Sequence, residues 1–224
     1  MVKKVTLLIA TIFLVATSHA QSLETIAALK DQCQSCLDSG VNMQGCARKY
    51  CMLMYSMVDT VYSHLFDKLS KKERTTLEKE QKAWVKKRDK YEKQQIKDFQ
   101  QKFNSGEWGP DMFMFVYESV AEYNRWRAEE LVYRMYSQGL IEKSAFQKHV
   151  DCLIKNTKEY KELLDETKYT MKNVVIVPVD LRGDTIFYIM RIYTPGFNSN
   201  YSIGYGVNYS KKQNKITGVV EVQQ

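Results

Sequence analysis

The segment Leu69-Ser70-Lys71-Lys72-Glu73, running on to Gln81-Lys82-Ala83-Trp84-Val85-Lys86-Lys87-Arg88-Asp89, constrains the fold more than any other. Ser70 followed three residues later by Glu73 is a capping box, in which each residue satisfies a backbone donor left open at a helix start. In the helix that follows, Leu77, Gln81, Trp84 and Arg88 recur at spacings of four, three and four and so share one face. An amide and a guanidinium beside a tryptophan are costly to bury without partners. This face is therefore expected to dock onto a surface that is both polar and apolar, holding helices together.

The rest of the chain reads as helical up to about residue 172. Ser22 to Leu37 forms a first helix and Asn42 to Lys68 a second, with Met54, Val58, Val61 and Leu65 as its apolar stripe, widened by Tyr55, Tyr62 and Phe66. The third helix runs from Ser70 to about Lys102. Asn104-Ser105-Gly106 breaks it, and Pro110 opens a fourth helix that runs to Tyr136 and stops at Gly139. This fourth helix is rich in aromatic residues and is expected to be buried on several sides. Trp126 and Tyr133 are its candidates for an interface anchor. Ser144-x-x-Gln147 opens one more helix, continuing to about Leu164. Beyond Lys172, Val174–Val177, Thr185–Tyr193, Tyr201–Tyr209 and Ile216–Val222 read as strands, with Tyr201, Ile203, Tyr205, Val207 and Tyr209 on one face. The expected fold is mainly α with an α+β C-terminal part: a disulfide-braced helical bundle, then a helix and a small antiparallel sheet. The expected divisions are a leader over 1–20, a helical domain over 21–139 and an α+β domain over 140–224.

Lys3 and Lys4, the apolar run Val5–Val15 and Ser18-His19-Ala20 have the form of a cleavable secretory leader. The run is too short for a permanent span, and Gln21 in place of Cys after the cut rules out lipid attachment there. The mature chain is expected in the periplasm or outside the cell, with no membrane span. Its formal charge falls from +7 to +5 when the two leader lysines go. Lysines such as Lys86 and Lys87 alternate with acids, the pattern of a solvated helix surface. Export argues against a nucleic-acid partner.

Cys33-x-x-Cys36 and Cys46-x4-Cys51 flank Asp38-Ser39-Gly40, and an exported protein keeps such cysteines as disulfides. Zinc is a poorer match to the spacer and the compartment, and no metal or other cofactor is expected. In a hairpin turning at Gly40, Cys36 lies opposite Cys46 and Cys33 opposite Cys51, which favours nested bridges. Cys152 is the odd thiol, expected to be buried rather than to serve as an intermolecular handle.

Leu-Ser-x-x-Glu, Leu77, Gln81-x-Ala83-Trp84 and Arg88-Asp89 resemble the N-terminal domain of the LprI-type lysozyme inhibitors. The likeness extends upstream through Met43-x-x-Cys46 and Val58-Asp59-x-x-Tyr62-x-x-Leu65. Downstream it reaches the Gly106–Pro110 loop and Arg127-Ala128-Glu129-Glu130-Leu131. The resemblance implies a small helical envelope protein in which Asp59, Tyr62, Leu77, Gln81, Trp84, Arg88, Asp89 and Arg127 are structural. It also points to a Cys33–Cys46 bridge, against the nested pairing. A further cysteine pair that the family often carries is replaced here by Glu92 and Ser119.

No nucleophile motif, phosphate-cradling glycine loop or histidine cluster marks an enzyme. The resemblance implies inhibition of a lysozyme by occupying its cleft. Because common lysozymes are basic, a basic inhibitor needs a local acidic patch, for which Glu118, Glu122, Glu129 and Glu130 are the candidates. Arg127 is expected to pair with an acid of a neighbouring helix, Asp59 or Asp89. The alternative function is a non-catalytic envelope module that binds another protein or a cell-wall glycan. It would act through the tyrosines of the sheet or an exposed Phe197 in the 194–200 loop; Phe197 folding back onto the sheet is the equal alternative.

Overall fold

The computed structural model describes residues 22–167, 173–181, 183–193 and 204–222. The leader, the 194–200 loop with Phe197, and the first three residues of the expected third strand lie outside them. Helix α1 (Leu23–Asp38) starts at Ser22, whose hydroxyl accepts the Thr25 N–H at 3.1 Å. Gly40 (φ 70°) and Asn42 (φ 50°) make the left-handed corner into α2 (Met43–Lys68), and the Asn42 side chain caps Gly45. The long α3 (Lys71–Asn104) opens with the expected capping box. The Glu73 carboxylate accepts the Ser70 backbone N–H at 2.9 Å and also the Ser70 hydroxyl. A single 3-10 turn (Pro110–Phe113) leads into α4 (Met114–Ser137), and Gly139 (φ 65°) takes the chain out of it.

Helices α2 and α4 form the centre of the bundle. Met54, Val58, Val61 and Leu65 of α2 are fully buried, as are Ala121, Ala128, Leu131, Val132 and Met135 of α4. By contrast, α3 buries only Leu77, Trp84 and Phe99 along its 34 residues. It lies along the outside of the bundle, attached by one narrow stripe.

The helix expected over Ser144–Leu164 is two helices, α5 (Ala145–Lys155) and α6 (Lys158–Thr167). The break falls at Thr157, whose hydroxyl donates to the Ile154 carbonyl at 2.7 Å and accepts the Tyr160 N–H at 3.3 Å. Such side-chain bonds give the backbone an alternative to continuing the helix. Four strands follow, β1 (Asn173–Asp180), β2 (Thr185–Tyr193), β3 (Gly204–Ser210) and β4 (Lys215–Val222), as an antiparallel meander in sequence order. Val177 opposes Ile189, Tyr188 opposes Val207, and Val207 opposes Val219.

One face of this sheet packs Ile176, Ile186, Tyr188, Met190, Val207 and Tyr209 against Val150, Ile154 and Leu163 of α5 and α6. Val177, on the other face of β1, joins the core of the helical bundle. Two polar ties run alongside: the Leu181 N–H donates to Asp31 of α1 at 2.9 Å, and the Ser144 hydroxyl donates to Glu24 at 3.1 Å. No helix among the described residues is long and apolar enough to cross a membrane.

The α1–α2 hairpin is braced by a Cys36–Cys46 disulfide, with Cα atoms 5.8 Å apart. This is one of the two nested bridges, and it excludes the Cys33–Cys46 pairing. The second nested bridge is not formed: Cys33 and Cys51 are separate buried thiols, each pushed up to about 11 chiefly by burial. Cys152, expected inside, is exposed, because α5 directs Val150 and Ile154 inward and residue 152 lies on the opposite side.

Candidate functional site

The Leu77–Arg88 face points inward, as its spacing requires. Trp84 is 6 % exposed and stacks on Tyr123 of α4 with ring centroids 5.9 Å apart, and Tyr123 stacks on Tyr91 at 4.7 Å. The Arg88 guanidinium lies over Trp84 (5.3 Å) and over Tyr55 of α2 (4.8 Å), and donates to Asp89 at 2.9 Å. Arg88 of α3 thus reaches α2 through the Tyr55 ring. The Tyr55 hydroxyl donates to Glu92 at 2.7 Å, and Tyr91 is hydrogen-bonded to Ser119. Glu92 and Ser119, the positions at which an extra cysteine pair was expected to be replaced, are thus both engaged by tyrosines.

Arg127 of α4 is buried and donates to the Gln81 side-chain oxygen through Nε and Nη2, at 3.0 and 2.9 Å. Its Nη1 donates to Glu130 at 2.7 Å. Glu130 also accepts from Arg134 at 3.1 Å, and Arg134 pairs with Glu80 of α3 at 2.7 Å. The expected acid partners of Arg127 are corrected accordingly. Asp59 is on the exposed side of α2 and Asp89 is engaged by Arg88, so the neighbouring helix answers Arg127 with an amide and its own helix supplies the acid. Tyr62 is half-buried against Phe66, their centroids 5.9 Å apart.

A second relay faces α1 and α2. Arg125 is buried, with Nη1 on Glu129 at 2.5 Å and Nη2 on Glu122 at 2.6 Å. Glu122 also accepts the Tyr50 hydroxyl at 3.2 Å and pairs with Lys30 at 3.5 Å. Burial alone would raise the Glu122 carboxyl; Arg125 and Lys30 outweigh it and hold the group below its ordinary value. Glu118 is shifted the other way, raised by burial and then by Glu122. Of the four acids expected to form a lysozyme-facing patch, Glu129 is buried and Glu122, Glu129 and Glu130 are each matched to an arginine, while Glu118 is half-buried.

Trp126 and Tyr133 are half-buried. Tyr133 lines an open cleft of about 570 Å³ between α4 and α5, together with Tyr136, Lys143, Asp151 and Cys152. The tyrosine stripe of β3 is packing. Tyr209 and Val207 are buried against α5 and α6, and the half-buried Tyr205 hydroxyl reaches Glu162 at 3.4 Å.

Two surface features escaped the sequence reading. Lys79, Lys82, Lys86, Lys90, Lys93 and Lys97 recur at spacings of three, four, four, three and four, and all are exposed. They form a single stripe on the outer face of α3, about 27 Å long at the helical rise. None forms an ion pair among the described residues. The spacing was visible in the sequence, but the interleaved acids hid it; Glu80 and Glu92 turn inward and leave the lysines in line. The second feature is a cleft of about 330 Å³ at the far end of α3, lined by Gln95, Asp98, Phe99, Gln101, Lys102, Trp108, Phe115, Val116 and Ser119.

Among the described residues no group of three or more His, Cys, Asp or Glu is placed to hold a metal ion. No curated protein and no solved structure matches the chain. Residues 33–131 match the family described as "Lysozyme inhibitor LprI", a span that runs from Cys33 in α1 to Leu131 in α4 and takes in both relays except Lys30 and Arg134.

Proposed function

We propose that this exported protein is a non-catalytic inhibitor of a lysozyme-type enzyme, acting by protein–protein binding through its helical domain. The match over residues 33–131 carries the reading. The inward motif residues give the domain rigidity, which limits the entropy lost on binding, and the outer face of α3 is what it offers to a partner.

The lysine stripe decides which enzymes suit it. A glycosidase cleft holds two carboxylates at the bond to be cut, so it attracts a cationic helix face locally. A strongly basic enzyme repels the same face at long range, while an acidic one draws it in. The reading therefore favours acidic or weakly charged lysozymes.

Its test is the clearing of a peptidoglycan suspension by acidic and basic lysozymes, with and without residues 21–224 of this chain. Dose-dependent protection is expected against the acidic enzymes, weakening as salt is raised. Unimpeded lysis by every enzyme of the panel would reject the function.

A further inference from the structure

We infer that the cleft at the far end of α3 is a binding site for an uncharged pyranoside chain, the chemical class of the cell-wall glycan. The wall is formed by three features: the last turns of α3, the first turns of α4, and the loop between them. The loop is fixed by its own backbone. Gly106 sits at φ 76°, and the Glu107 and Trp108 N–H groups both donate to the Lys102 carbonyl, at 3.0 and 3.2 Å.

Trp108 is held from one side by the Lys102 ammonium, 4.2 Å from its ring, and flanked by Phe99 (6.2 Å) and Phe115 (5.8 Å). Phe115 is nevertheless 40 % exposed and Trp108 only half-buried. The site is preorganised and open, which keeps the ordering cost of binding low.

Its chemistry is that of sugar recognition. A pyranose presents a face of C–H groups to an aromatic ring and a rim of hydroxyls to amides and carboxylates. Here the rings of Trp108 and Phe115 face the same space as Gln95, Gln101 and Asp98. The charges lining it, Asp98 and Lys102, cancel, and Lys102 also meets Glu107 at 3.7 Å. A phosphate or nucleotide would find no net counter-charge, whereas a neutral ligand needs none. The volume of about 330 Å³ lies at the lower end of small-ligand sites, enough for one or two sugar rings. The site is separate from the lysine stripe, so glycan binding and enzyme inhibition stand or fall independently.

The test follows the quenching of tryptophan fluorescence of residues 21–224 by chitotriose and by cellotriose, with pelleting on purified peptidoglycan as a second arm. Saturable binding of at least one trisaccharide and co-pelleting are expected. Trp108→Ala should weaken both by about tenfold or more, and Gln101→Ala, an exposed change that leaves folding intact, by a smaller factor. Absence of trisaccharide binding overturns the inference. So does binding that survives unchanged in both variants, which would put the glycan elsewhere. A chain that binds sugar without slowing any lysozyme would sink the inhibitor reading and leave this one standing.

Discussion

The middle of α3 and its C-terminal end with the loop that follows use the same kinds of side chain to opposite effect. In its middle, Gln81, Trp84 and Arg88 form a closed set. The amide oxygen takes two hydrogen bonds from Arg127, and the tryptophan is 6 % exposed beneath a guanidinium. At its end, Gln101 and Lys102 form an open set with Trp108 of the following loop: the cation again lies over the ring, but the tryptophan is half-exposed and the amide faces solvent. The difference is the opposing helix. The α4 residues facing the closed set are Tyr123 and Arg127, which fill and satisfy it, while those facing the open set are Phe115, Val116 and Ser119, of which only the 40 % exposed Phe115 touches the tryptophan. An aromatic–amide–cation trio is architecture where a partner helix completes it, and a ligand site where none does.

The comparison can be broken by substitution. Arg125→Ala removes the buried guanidinium that pairs both Glu122 and Glu129 and should cost about 3–5 kcal/mol, read by urea denaturation. A loss below about 1 kcal/mol would mean the relay is not needed to hold α4. Trp84→Ala should also cost about 3–5 kcal/mol as a core truncation. Trp108→Ala should cost only about 1 kcal/mol, as suits a half-exposed ring. Equal losses for the two tryptophans would abolish the distinction between closed and open sets.

The Cys36–Cys46 bridge should contribute about 2–4 kcal/mol, lost on reduction. In the folded chain, Cys152 alone of the three free cysteines should react promptly with an aromatic disulfide reagent, with Cys33 and Cys51 reacting after unfolding. Three promptly reacting thiols, or none, would contradict the cysteine assignment.

A smaller effect separates the relay from the surface by pH. The depressed Glu122 carboxyl contributes stability that is complete above the ordinary carboxylate value of about 4.3 and disappears as pH falls through its lower folded value. Melting temperature should therefore hold between about pH 5 and 7 and fall below about pH 4, and Glu122→Gln should flatten that fall. An identical acid limb in the variant would remove Glu122 from the account.

Much of the frame was legible in the sequence. The capping box at Ser70–Glu73, the stripe of α2, the inward face of α3 and the β2 strand are short-range patterns, and period and turn chemistry specify them. The Cys36–Cys46 bridge followed from hairpin geometry around Gly40. What sequence could not supply were the choices made between elements. Arg127 met Gln81 and Glu130 rather than Asp59 or Asp89, because rotation of α2 leaves Asp59 in solvent. That the acidic candidates of α4 lie partly on its buried side was legible, but not that Arg125 and Arg127 match them there. The cleft was hidden because Trp108 and Gln95 are 13 residues apart and meet only across the loop.

The most direct test of the account is the clearing of peptidoglycan by an acidic lysozyme titrated with residues 21–224, wild type against Lys86→Glu/Lys90→Glu/Lys93→Glu. The wild type should protect the substrate, and the triple variant should lose most of that protection while melting at the same temperature, since all three lysines are exposed and outside both relays. Equal protection by the two proteins would show that the outer face of α3 is not the inhibitory surface, and protection by neither would contradict the inhibitor assignment itself.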